Sequence, residues 1–213
     1  MEKEQEFVHS VYQNIASHFS DTRYKPWPRV DKYMRELPFG SIGVDIGAGN
    51  GKYMVYGHVQ VFGCDRSEEL CKISLEKRCE GKTPDVFVCD GLATPYRSTM
   101  DFAISIAVIH HFSTKQRRIE AVKHILSVLN PTGTALIYVW ALEQASSRRG
   151  WDKGMDQDVM VPWVEKSTGT TYHRYYHLYK EHELDEDIVA AGGVVLESGY
   201  EKDNWWCVCT MPR

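Results

Sequence analysis

Val44-Asp45-Ile46-Gly47-Ala48-Gly49-Asn50-Gly51 is the stretch on which the fold turns. The apolar residues around Asp45 have the composition of a buried strand, and the glycines that follow at alternate positions mark a tight turn into a helix. Glycine lets a backbone turn sharply and approach a ligand that a side chain would exclude. The spacing is G-x-G-x-G with an acid two residues before the first glycine, whereas a dinucleotide loop reads G-x-G-x-x-G. Alone, such a loop is also compatible with a plain strand-to-helix turn, so its surroundings decide.

Outward from the loop, short apolar runs alternate with helical segments. SIGVDIG (41–47) enters the glycine turn, HVQVFGCD (58–65) precedes a helix, and DVFVCDG (85–91) follows. MDFAISIAVI (100–109) then leads to a long helix from about Thr114 to Leu129, and GTALIYVW (133–140) closes the series. This rhythm predicts a parallel sheet covered by helices. Upstream, Phe7, Val11, Ile15 and Phe19 recur every fourth residue and predict an amphipathic helix over 4–19. An aromatic and basic loop follows, and Pro28 opens a second helix to Leu37. Downstream, 141–172 reads as a long functional loop, 178–191 as a helix stopped by Gly192-Gly193, and the last two apolar runs as a hairpin turning at Tyr200 to Asp203. A chain of 213 residues suits one domain. Its expected parts are an extension (1–40), a core (41–140), a substrate loop region (141–177) and a closing helix and hairpin (178–213).

Further candidates stand at the ends of the other expected strands. Asp65, in Gly63-Cys64-Asp65-Arg66, could accept both hydroxyls of a ribose, or could cap the next helix in competition with Ser67. Asp90, in Cys89-Asp90-Gly91, follows the third strand; alone it would be an ordinary turn residue, while in cofactor-binding folds of this kind an Asp there commonly contacts an adenine amino group. Ala107-Val108-Ile109-His110-His111 ends the fourth strand, where open α/β sheets bind ligands. One of the two histidines can face a substrate there, with His110 the first candidate.

The glycine loop resembles motif I of Rossmann-like methyltransferases, in which the acid sits near the methionine amino group. That resemblance implies an α/β, Rossmann-like S-adenosylmethionine-dependent fold: a seven-stranded, mostly parallel sheet with an antiparallel C-terminal strand. S-adenosylmethionine, leaving as S-adenosylhomocysteine, would be held by Asp45, Gly47, Gly49 and Gly51, by Asp65 and Arg66, by Asp90 and Gly91, and by Ala107. The Asn/Asp-Pro-Pro-Tyr/Phe motif of many amino-group methyltransferases is missing, which disfavours a base or amide nitrogen as acceptor.

Stretches outside the cofactor core are more specific. Among them are His18-Phe19-Ser20-Asp21-Thr22-Arg23-Tyr24-Lys25-Pro26-Trp27-Pro28, Tyr138-Val139-Trp140-Ala141-Leu142-Glu143-Gln144, Gln157-Asp158-Val159-Met160-Val161-Pro162-Trp163, Arg174-Tyr175-Tyr176-His177 and Asp203-Asn204-Trp205-Trp206. With them the chain resembles, over nearly its whole length, the eukaryotic tRNA wobble-uridine carboxymethyl methyltransferases. Their longer charged insertion before the Arg-Tyr-Tyr-His motif is reduced here to 164–173. The resemblance implies methyl transfer to the carboxylate of 5-carboxymethyluridine at position 34. A carboxylate of pKa about 4 is already ionised and needs positioning and desolvation more than a base. Arg23, His110 and Arg174 are the residues expected at the acceptor, each arginine being equally suited to a phosphate or a structural ion pair. Trp27, Trp140, Trp163 and Trp205 could stack on anticodon-loop bases or pack loops. Basic clusters at Arg23-Lys25-Arg29, Lys115-Arg117-Arg118 and Arg148-Arg149 could touch tRNA phosphates. The resemblance also implies a small zinc-binding activator protein that adds a strand to the sheet edge at 86–89, an apolar edge that would otherwise invite aggregation.

The bulk properties fit. A net charge of −4 leaves no global basic field. The polar, acidic N-terminus is not a signal peptide, and the longest apolar run, Phe102 to Ile109, is too short to cross a membrane. The six cysteines include no C-x-x-C pair and read as reduced core thiols, with no metal bound by this chain. The expected location is the cytoplasm, with the nucleus a second compartment. Two other readings share the cofactor motifs: a small-molecule methyltransferase acting on a quinone precursor, and a non-catalytic cofactor-binding scaffold.

Overall fold

The computed structural model describes residues 2–22, 25–76, 85–147, 149–165 and 168–212. A seven-stranded sheet forms its centre. The strands are β1 (Ile42–Ile46), β2 (Gln60–Asp65), β3 (Asp85–Val88), β4 (Met100–Ile106), β5 (Leu129–Trp140), β8 (Val194–Glu201) and β9 (Asn204–Thr210). Their spatial order is β3-β2-β1-β4-β5-β9-β8. The first five run parallel, β9 is antiparallel to β5, and β8 antiparallel to β9. The expected Rossmann-like sheet and closing hairpin are both present. β3 is an edge strand, and Val88 on it is 51% exposed.

Helices cover both faces because the strands are apolar on both sides. On one face α5 (Lys115–Ser127) and α6 (Glu183–Ala190) bury Val122, Ile125, Leu126 and Ile188 against β4, β5 and β9. On the other, α3 (Pro28–Glu36) packs Val30, Tyr33 and Met34 over Phe102, Ile104, Leu136 and Tyr138. Thr114 caps α5 by accepting the Arg117 N–H. The N-terminal helix begins as α1 (Glu2–Glu4), passes through a π-helical turn (Gln5–His9) and continues as α2 (Ser10–Asp21). Val8, Val11 and Ile15 are its buried stripe, and it packs on α4 (Glu68–Glu76). No helix among the described residues is long and apolar enough to cross a membrane.

Three expectations need correction. The glycine turn does not enter a helix: residues 47–54 are turns and bends, because Gly51 at φ 71° interrupts the right-handed course and the connection to β2 is short. The region 141–172 is not one irregular loop. Its second half forms an antiparallel hairpin, β6 (Asp158–Val164) with β7 (Thr171–His177), paired from Asp158↔His177 to Val164↔Thr171. Pro162 in β6 and the polar, aromatic composition of β7 hide this alternation. Finally, residues 178–182 remain outside the helix, which starts at Glu183.

Candidate active site

The C-terminal ends of β1, β2 and β4 open onto a cavity of about 700 Å³, roofed by Val8, His9, Tyr12 and Phe19 of the N-terminal helix. Asp45 is 1% exposed, and neither of its carboxylate oxygens has a hydrogen-bond partner among the described residues. Burial pushes its pKa up to about 7. A buried carboxylate without a donor is costly, and a cationic ligand group would remove that cost.

Asp65 has the opposite environment. Its Oδ2 accepts the Gly49 N–H and its Oδ1 the Ser67 N–H, both at 2.9 Å. Ser67 itself caps α4 through the Leu70 N–H at 3.2 Å, so the competition for the cap is settled and Asp65 faces the cavity. Burial raises its pKa, against those backbone hydrogen bonds. Asp90 pairs with Arg66 and accepts the Leu92 N–H at 3.0 Å. Gly49, at φ 54°, has only Phe19 near the direction of a side chain, at 3.9 Å, and offers its bare backbone to the cavity. Gly51 does not line the cavity: a Cβ there would lie 2.1 Å from Ser74 Oγ, so this glycine serves packing against α4 and not a ligand.

Just past the C-terminal end of β4, beside the glycine turn, Ala107 adopts φ 63° and the chain enters a 3₁₀ turn, Ile109–His111. His111 lines the cavity, whereas His110 is fully buried and absent from the lining. His110 Nδ1 accepts the Trp140 N–H at 3.0 Å, and its ring packs on Tyr176. The expected order of the two histidines is therefore reversed, because the 3₁₀ turn rotates the first ring into the core. His111 is closed by hydrogen bonds on both sides: Nδ1 lies 2.8 Å from the Tyr175 carbonyl oxygen and Nε2 3.0 Å from the Tyr12 hydroxyl. Burial is the main cause that pushes its pKa down to about 3.

Residues 44–137 match a family described as "Methyltransferase domain". A tRNA (carboxymethyluridine(34)-5-O)-methyltransferase of Schizosaccharomyces pombe is 47% identical over 98% of this chain and 97% of its own. The chain belongs to the tRNA (carboxymethyluridine(34)-5-O)-methyltransferase family. The protein of that name from Saccharomyces cerevisiae is 42% identical over 97% of this chain and 96% of its own. Among solved structures, a methyltransferase in complex with the Haloferax volcanii Trm112 methyltransferase activator has the same fold, with a TM-score of 0.70 at 15% identity over 97% of this chain and 98% of that one.

As a member of this methyltransferase family the chain uses S-adenosylmethionine, and the cavity fits that group. The Asp45 carboxylate, unpartnered among the described residues, matches an ammonium, and the Asp65 carboxylate has the chemistry to accept ribose hydroxyls. Gly47, Gly49, Arg66, Asp90, Gly91 and Ala107 also line the wall. Of the acceptor candidates, Arg23 lies outside the described residues, as do Tyr24, Cys79 and Arg148. Arg174 is 2% exposed and stands behind the wall, not in it.

Three arginines of the expected basic clusters are held in structural pairs. Arg29 pairs with Glu197 and stacks on Trp206. Arg117 pairs with Glu4, and Arg118 is buried 3.8 Å from Glu183. Trp27 and Trp140 line the cavity, while Trp163 packs on His18 and Trp205 on Tyr200. Sequence reading missed Tyr12, Tyr176, Lys52 and Lys202 in the wall. Val8 and Tyr12, four residues apart, stand beside the stripe that was read, and that spacing was the available signal.

Proposed function

We propose that this chain methylates the carboxylate of 5-carboxymethyluridine at position 34 of tRNA, forming the methyl ester. The observation that carries this reading is the state of His111. Both ring nitrogens are engaged within the protein, and burial keeps the ring neutral and weakly basic. His110 is likewise shifted well below its ordinary pKa by burial. Neither is equipped to take a proton from a nitrogen or hydroxyl acceptor. A carboxylate, already anionic at neutral pH, needs no such base. S-adenosylmethionine, when bound, would supply a sulfonium methyl to the carboxylate oxygen, the C–S bonding pair returning to sulfur with no proton exchanged. The protein's part is to hold, orient and desolvate: Asp45 and Asp65 fix the cofactor, and Phe19, Trp27, Trp140 and Tyr176 exclude water.

The near-full-length identity to relatives named for a tRNA substrate favours RNA over a small phenolic acceptor. The intact cradle favours an enzyme over a scaffold. In the same reading a small zinc-binding activator protein adds a strand to β3, supported by the exposed apolar edge and by the activator complex among proteins of this fold. None of the five described cysteines forms a disulfide, which favours work in the reducing cytoplasm.

The test uses the chain co-expressed with such an activator, labelled S-adenosylmethionine and tRNA lacking the wobble ester, with nucleosides analysed before and after mild base. A base-labile methyl on 5-carboxymethyluridine is expected. A base-stable methyl elsewhere rejects the carboxylate mechanism, and cofactor binding without transfer to any tRNA supports the scaffold.

A further inference from the structure

Arg174 on β7 is buried, yet no carboxylate pairs with it among the described residues. Its guanidinium lies in an aromatic cage, 4.8 Å from the Trp163 ring, 5.3 Å from Tyr176 and 5.9 Å from Tyr12. Nη1 donates to the Tyr176 hydroxyl at 2.9 Å and approaches the Tyr12 hydroxyl at 3.4 Å, while Nε has no partner among the described residues. The two hydroxyls are 3.1 Å apart. Both tyrosines line the cavity and Arg174 does not.

A buried cation without a counter-charge is expensive, and ring faces compensate only part of that cost. A protein that keeps one beside a ligand cavity has a use for an anion on the other side. The hydrogen bonds share one direction. Arg174 donates to both phenol oxygens, leaving the Tyr176 hydrogen for Tyr12 and the Tyr12 hydrogen for His111 Nε2, since His111 Nδ1–H is held by the Tyr175 carbonyl. Phenol hydrogens rotate at little cost, and either can turn toward an anion in the cavity while Arg174 continues to donate from behind; when Tyr12 turns, His111 gives up one hydrogen bond but stays weakly basic through burial. A hydrogen bond polarised in this way is stronger than one from an isolated phenol.

We propose that Tyr12 and Tyr176 are the donors that grip the acceptor carboxylate, and that Arg174 is a positioning residue supplying its counter-charge through their hydroxyls without touching it. This rests on the carboxylate-acceptor reading above. The cluster selects an anionic acceptor over a neutral isostere, and among the described residues no hydrogen bond or ion pair joins Tyr12, Tyr176 or Arg174 to Asp45 or Asp65, so cofactor affinity serves as the control.

The experiment measures binding of two anticodon stem-loops to the full chain loaded with S-adenosylhomocysteine. One carries 5-carboxymethyluridine at the wobble position and the other its neutral carbamoylmethyl isostere. The wild type should prefer the anion by about 10- to 100-fold, the range expected for a charge-assisted hydrogen bond. Arg174→Met should abolish that preference and Arg174→Lys should restore part of it, with S-adenosylhomocysteine affinity unchanged in both. Tyr12→Phe, a mild change on a surface helix, should remove most of the preference even if Arg174→Met does not fold. Variants that weaken both stem-loops equally, or leave the preference intact, overturn the proposal. A wild type that binds S-adenosylhomocysteine but does not prefer the anion, and does not methylate it, refutes the carboxylate reading itself.

Discussion

The cavity has two halves built on different principles. The cofactor half is local and made largely of backbone: the glycine turn after β1, Asp65 held by two backbone N–H groups, and Asp90 with Arg66 at the next strand end. The acceptor half is made of side chains from distant segments, with Tyr12 from the N-terminal helix, His111 from a 3₁₀ turn and Arg174 and Tyr176 from a hairpin. Among the described residues, the first half leaves the Asp45 carboxylate without a hydrogen-bond donor and the second leaves the Arg174 guanidinium without a carboxylate. Each unpaired charge is opposite in sign to the ligand group it is suited to hold: an ammonium at one end and a carboxylate at the other. A site of this kind is prepared in advance and strained without its ligands.

The largest effect should come from breaking the cofactor half at its charge. Asp45→Asn removes the ion pair with the cofactor ammonium and should weaken S-adenosylhomocysteine binding by about 100- to 1000-fold, measured by calorimetry. The same change should stabilise the protein without cofactor. With its pKa raised to about 7 in the folded state, Asp45 binds a proton that the unfolded chain has lost above about 4, so its contribution declines as pH rises from about 4 to 7. Asp45→Asn should therefore raise the melting temperature at pH 8 and change it little at pH 4. No gain at pH 8 would mean that the carboxylate is already satisfied.

Next in size, the two glycines that resemble each other in sequence should separate. Gly51→Ala meets Ser74 and should cost about 2–3 kcal/mol of stability, with cofactor affinity per folded molecule unchanged. Gly49→Ala, facing open cavity, should cost less stability and more affinity. Equal behaviour of the pair in melting and binding would undo their assignment to packing and to ligand.

A smaller effect is expected where the halves are joined. Glu4 is buried and accepts from Ser113 and from Arg117, fastening the N-terminal helix that roofs both halves. Glu4→Gln should cost about 1–2 kcal/mol and speed cofactor release several-fold in stopped-flow measurements. An unchanged release rate would show that the roof is held by its apolar stripe alone. The smallest effect sharpens the acceptor half. With His111 near 3 and His9 near 4, no histidine of the wall changes charge between pH 5.5 and 8.5. At saturating cofactor the methyl-transfer rate should show no step near pH 6.5, and such a step would return a general base to the mechanism.

Much of this was legible in residues whose meaning is local. The apolar runs gave the strands, and the acid-and-glycine spacing gave the cofactor end, because a strand end and the turn after it are fixed by a few consecutive residues. The failures share a cause in distance. The sequence could not say that Gly51 faces a helix and Gly49 a cavity, since that depends on where α4 packs. Nor could it choose between His110 and His111, since a single 3₁₀ turn decides which ring enters the core. Arg118 in a basic run and Pro162 in an apparent loop misled for the same reason: burial and pairing are properties of the neighbours. By itself, then, the sequence determined the parallel sheet, the methyltransferase class and the acids at the strand ends that line the cavity. The tertiary structure decided the acceptor end, because buried cations, shared hydroxyls and closed hydrogen-bond chains exist only once segments far apart in the chain have been brought together.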